Sequence, residues 1–95
     1  MGNDDAAGPL VTVVRTYACH LCEDATAALD ELAGRYPLRV RLVDAATPEG
    51  TALVRRHRAA MFPLVLIDGQ FFSAGRLPRR KLCRLLDGRA AVSLR

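Results

Sequence analysis

No apolar run in these 95 residues approaches the ~20 that a transmembrane helix needs, so no membrane span is expected. Cysteine is scarce too: Cys19, Cys22 and Cys83 are the whole supply. An odd, low count argues against a disulfide-stapled scaffold. The opening stretch M-G-N-D-D-A-A-G-P lacks the basic and apolar regions of a secretory signal. Ala6 stands where a myristoylation signal needs Ser or Thr. The cytoplasm is therefore the expected location. In that reducing compartment a C-x-x-C is more often redox-active or metal-bound than a permanent staple.

What is present fits one small domain with one core. Apolar residues make up 51% of the chain, too many for a disordered or collagen-like sequence. The net charge of +4 comes from basic residues that are nearly all Arg. Such a charge suits nucleic acid or acidic partners, but the cations are spread over several segments and nucleic acid is disfavoured. A monomer is expected.

Residues 1–9 read as a disordered leader ending at Gly8-Pro9, residues 10–88 as the domain and residues 89–95 as a tail without clear pattern. Residues 10–16, L-V-T-V-V-R-T, are a nearly unbroken β-branched and apolar run, which predicts a central strand covered on both faces. From Cys22 the period changes: Cys22, Ala25, Leu29 and Leu32 recur at helical spacing, an amphipathic helix stopped by Gly34 and Pro37. In residues 38–44, Leu38, Val40 and Leu42 alternate with Arg39 and Arg41, predicting a strand with one exposed face near a sheet edge. Thr47-Pro48-Glu49 opens a second helix with an N-cap, a proline at its first position and an early acid. That helix runs to about residue 58 and ends in Arg55, Arg56 and Arg58. These three cations either complement the helix dipole or form an anion-attracting patch beside a site. Asp68-Gly69 separates strands 64–67 and 70–73 as a two-residue hairpin turn that needs positive φ twice. A last helix begins at Pro78, buries Leu82, Leu85 and Leu86, and stops at Gly88.

The order is β-α-β-α-β-β-α. The first two strands flank a helix and should be parallel, with a right-handed crossover; the hairpin adds antiparallel strands. The expected fold class is α/β, a four-stranded mixed sheet with three helices on its two faces.

A strand leading into Cys19-His20-Leu21-Cys22-Glu23-Asp24-Ala25, then Phe62-Pro63-Leu64-Val65, Asp68-Gly69 and Gly75-Arg76, resembles the thioredoxin fold. Within it the pattern is similar to small bacterial glutaredoxin-like proteins carrying C-H-L-C, over roughly residues 10–87. The resemblance implies a cis bond before Pro63, with that proline facing the dithiol, and backbone at Phe62 free to pair with a substrate chain. Three departures stand out. His20-Leu21 replace the usual Pro-Tyr between the cysteines, and Met61-Phe62 replace Thr-Val before the proline. Ser73-Ala74-Gly75-Arg76-Leu77 replaces the Gly-Gly and acids that hold glutathione. Two of these touch the glutathione site, so dithiol chemistry carries over better than glutathione as the reductant does.

Cys19 falls at the mouth of the first helix and Cys22 one turn inside, so both sulfurs share a side within bridging reach. Unpaired N–H groups and the positive end of the helix favour the Cys19 thiolate. Protonated His20 would help; Glu23 and Asp24 oppose. The expected cycle starts with Cys19 attacking a substrate disulfide, after which Cys22 resolves the mixed disulfide and leaves an internal one. Cys19 and Cys22 are the catalytic candidates, and Tyr17, His20, Leu21, Phe62 and Pro63 the substrate-binding ones. Tyr17, His20 and Phe62 can equally be plain packing or surface residues. The partners implied are a disulfide-containing protein or small molecule, and a reductase or glutathione as electron donor. No bound cofactor or metal is expected. Zinc wants four ligands, of which Cys19, His20 and Cys22 supply too few, and a cluster shared by a dimer is disfavoured too. Cys83, beside Leu82 and Leu86, reads as a packed, inert thiol. The reading is a small thiol–disulfide oxidoreductase; the rival is a binding or redox-sensor module that keeps the fold without turnover.

Overall fold

The computed structural model describes residues 8–93. Its elements follow the order β1 (Leu10–Arg15), α1 (His20–Ala33), β2 (Arg39–Asp44), α2 (Pro48–His57), β3 (Leu64–Ile67), β4 (Gln70–Ala74) and α3 (Arg79–Ser93). The strands form one mixed sheet in the order β2-β1-β3-β4, with β1 parallel to β2, antiparallel to β3, and β3 antiparallel to β4.

The apolar run in β1 and its place near the sheet centre have one cause. Side chains alternate between faces, so a strand covered on both must be apolar throughout. Val11 and Val13 join Val65 and Ile67 of β3 under Leu29 and Leu32 of α1 and Leu82 and Leu86 of α3. Val14, on the opposite face with Leu64, Leu66 and Val43, lies under Leu53 and Val54 of α2. Two helices thus cover one face and one the other. Full burial of a Leu or Val such as Leu29, Leu64, Leu82 or Val65 contributes about 1.5–3 kcal/mol each.

Local signals act as the sequence indicates. The Thr47 side chain accepts from the Gly50 N–H and Pro48 takes the first turn of α2. Asp68 and Gly69 both have positive φ, and Asp68 also accepts from the Leu10 N–H. β2 is an edge strand. Its covered face, however, ends at Leu38 and Val40, which pack on the α1/α3 core. Leu42 is exposed, and Val43 is buried on the other face.

Two boundaries differ from the sequence reading. Pro9 is buried and its carbonyl accepts from the Arg39 N–H, so Gly8-Pro9 belongs to the sheet's lower end rather than to a leader; residues 1–7 lie outside the described residues. Gly88 does not stop the last helix, which continues to Ser93. Leu82 and Leu86 anchor it, and Arg89 reaches Asp68 at 2.9 Å. These contacts outweigh the ~1 kcal/mol cost of a helical glycine.

Candidate functional site

Register brings four connections to one end of the sheet. Arg15 ends β1 opposite Asp44 of β2. Val14 pairs with Leu64, the first residue of β3, and Leu64 with Ala74, the last of β4. The loops 16–19, 45–47, 61–63 and 75–78 therefore leave or enter at the same end, and all three helices start there. Helix N-termini carry unpaired N–H groups and partial positive charge, so this end favours anions, a thiolate among them.

The cysteine loop is short and bent. Tyr17 is 98% exposed, and Ala18 has φ of 52°, a left-handed conformation that costs a residue with a Cβ about 1 kcal/mol. That turn delivers Cys19 in extended conformation as the N-cap of α1. The Cys22 N–H donates to Cys19 Sγ at 3.1 Å, so the sulfur fills the role a Ser or Asp oxygen fills at most helix starts. Cys19 and Cys22 form a disulfide with Cα atoms 5.2 Å apart. Cys19 is half-buried, whereas Cys22 is 3% exposed. The Thr26 hydroxyl donates to the Cys22 carbonyl at 2.9 Å and the Glu23 N–H to the Cys19 carbonyl at 3.1 Å, which pins the first turn.

The other sequence candidates differ in exposure and in partners. His20 is exposed, with Nδ1 3.9 Å from Glu23 Oε1. Leu21 is half-buried. The Phe62–Pro63 bond is cis; Pro63 is buried and its carbonyl accepts from the Gly75 N–H at 3.0 Å. Phe62 packs on the α2-side core. Tyr17, which packing could have claimed, stands in solvent instead. Cys83 is half-buried against the α1/α3 core.

Sequence reasoning missed two features of this end. Met61, 54% exposed, lies over the positive-φ Gly75. Beside Leu21 opens a groove of about 650 Å³, walled by Asp24 and Ala25 of α1 and by residues 76–81 and Arg84. It gathers Arg76, Arg79, Arg80, Lys81 and Arg84. The run R-L-P-R-R-K-L-C-R was the available signal, but only the tertiary fold lays it against the cysteine helix. Arg55, Arg56 and Arg58 instead close the far end of α2, where the Arg58 N–H caps the carbonyls of Arg55 and Val54. Among the described residues no three Cys, His, Asp or Glu side chains converge as metal ligands, and no helix is long and apolar enough to cross a membrane.

No family model matches the sequence, and no curated protein does either. Among solved structures the chain is similar to the solution structure of an uncharacterized thioredoxin-like protein from Clostridium perfringens. The two share 12% identity over 86% of this chain and 71% of that one, with a TM-score of 0.69. Such an identity carries the fold alone. The chain has a thioredoxin-like fold whose C-x-x-C motif closes into a disulfide at the start of the first helix.

Proposed function

We propose that the protein is a glutaredoxin-like thiol–disulfide oxidoreductase that cycles the Cys19–Cys22 pair. The observation that carries this reading is the position of Cys19: its sulfur caps a helix and accepts an N–H, an arrangement that stabilises negative charge on sulfur. In the reduced protein the Cys19 thiolate attacks one sulfur of a substrate disulfide. A Cys19–substrate disulfide forms, and the other substrate sulfur leaves as a thiolate that takes up a proton. Cys22, deprotonated, then attacks Cys19 Sγ. The substrate departs as a second thiol, the internal disulfide forms, and two electrons have moved from protein to substrate. An external reductant restores the dithiol.

Tyr17, Leu21 and the backbone at Phe62 are the proposed contacts for the substrate chain, and buried Pro63 holds the strand end beside the cysteine loop. Glutathione is a poor candidate for the reductant. Residues 73–77 offer a buried Ser73 and an exposed Arg76 where the related pattern carries acids. The test is reduction of a protein disulfide by catalytic amounts of the chain, with thioredoxin reductase and NADPH or with glutathione and its reductase as alternative donors. Turnover lost in Cys19→Ser supports the reading. A wild type that binds partners but turns over no disulfide with either donor replaces it with the binding-module reading.

A further inference from the structure

The groove beside Leu21 holds five cations against one carboxylate, Asp24. Its net charge of +4 equals that of the entire chain, so the charges of the remaining residues balance in number. Arg76, Arg79, Arg80 and Arg84 make no ion pair with any described residue, whereas Arg41 and Arg89 find Glu49 and Asp68. Lys81 leans over the Phe72 ring. The placement also runs against helix stability. Arg79, Arg80 and Lys81 fill the first turn of α3, which has no acid, although cations at a helix start are destabilising. α2 shows the ordinary pattern, with Glu49 at its start and Arg55, Arg56 and His57 at its end. A local rule broken at one helix and kept at another is where a functional or strained site is expected.

We propose that this groove docks an acidic stretch of the protein partner, so that the preferred substrates are protein disulfides flanked by Asp and Glu. The proposal rests on the redox reading for what is delivered to Cys19, while the docking itself needs no thiol chemistry. Leu21 belongs both to the groove wall and to the C-x-x-C motif, so the groove borders the same helix start that carries the attacking sulfur. All five cations are exposed, as a surface track for a passing chain requires. No aromatic side chain lines the groove, so it lacks the stacking platforms of single-strand nucleic-acid sites, and its Leu21, Leu77 and Pro78 suit the apolar side chains of a peptide.

Two peptide disulfides identical except for four Asp/Glu or four Lys beside the cysteine test this, together with the neutral hydroxyethyl disulfide. Wild type should favour the acidic peptide by about tenfold in kcat/KM at low salt, and the ratio should fall towards one at high salt. Arg80→Glu with Arg84→Glu should abolish or invert the preference and leave hydroxyethyl disulfide turnover unchanged. Equal turnover of both peptides, or a preference that survives charge reversal, overturns the proposal and leaves the redox reading standing. A second arm titrates the Cys19→Ser/Cys22→Ser protein with a cysteine-free acidic peptide and with a single-stranded oligonucleotide of equal charge. Salt-sensitive peptide binding upholds the groove even if wild type reduces no disulfide, in which case only the redox reading fails. Tighter binding of the oligonucleotide overturns the proposal in favour of nucleic acid.

Discussion

The two sulfurs differ in exposure, and that difference sets how far their reactivities should diverge. Reagent can reach the half-buried Cys19 from solvent. Reaching Cys22, 3% exposed, requires the first turn of α1 to open. Three hydrogen bonds hold that turn: Cys22 N–H to Cys19 Sγ, Glu23 N–H to the Cys19 carbonyl, and the Thr26 hydroxyl to the Cys22 carbonyl. At about 1 kcal/mol net for each bond, opening costs about 3 kcal/mol, or about a hundredfold in rate at ~1.4 kcal/mol per decade. In the reduced state, Cys22 of a Cys19→Ser variant should therefore be alkylated by iodoacetamide about a hundred times more slowly than Cys19 of a Cys22→Ser variant. Serine is itself a good N-cap, so the first substitution should not loosen the turn. Peptide-level mass spectrometry resolves each site from Cys83. The same asymmetry predicts that Cys22→Ser stalls as a covalent adduct with oxidised partner through Cys19, and that Cys19→Ser traps nothing. Cys22 alkylation within about tenfold of Cys19, or adducts through Cys22, would refute the assigned order of attack.

Further outcomes are expected elsewhere. Glutathione alone should drive turnover poorly; efficient, saturable dependence on it would show that residues 73–77 have been misread. Cys83, packed beside Leu82 and Leu86, should react more slowly than Cys19, and equal alkylation rates would place it at the surface. Gly50→Ala should destabilise the fold by about 1–3 kcal/mol through overpacking, despite alanine's helix preference, because the new Cβ would run into the Asp44 carbonyl oxygen and lie 2.8 Å from Ala45 Cα; an unchanged or raised melting temperature would contradict this. Tyr36 donates to Asp87 Oδ1 at 2.6 Å, and this hydrogen bond is the main cause that raises its pKa above the ordinary tyrosine value. Its stabilisation is complete below pH ~10 and is lost as pH rises through the folded value, so Asp87→Asn should bring Tyr36 ionisation to lower pH in an ultraviolet titration.

Much of this architecture was legible because its signals are local. Thr47-Pro48, Asp68-Gly69 and the change of period at Cys22 each act within a few residues, and the continuous apolar run of β1 reports burial on both faces without any partner being known. The features that escaped depend on distant partners. Pro9 is held by the N–H of Arg39, thirty residues on, and nothing in the hydrophobic pattern encodes a backbone bond of that kind. Gly88 reads as a stop because glycine weakens a helix, but the tie from Arg89 to Asp68 is invisible from residues 80–93. Leu42 alternates correctly and is still exposed, because alternation assigns a face and not the extent of the cover over it. The cations of residues 76–84 were visible as a run, yet their significance comes from the cysteine helix laid beside them.

The sheet has a working end and a carrying end. Gly8 abuts the Pro37 carbonyl, the Leu10 N–H bonds to Asp68, and Arg89 meets the same Asp68, so both ends of the described chain gather at the hairpin side, opposite the cysteine loop. A tether attached ahead of Gly8 or beyond Ser93 therefore presents the sulfur pair outward. Immobilised on an electrode or bead through either terminus, the protein would hold Cys19 towards solution, a ready orientation for wiring the dithiol to a surface or for fishing its partners from a mixture.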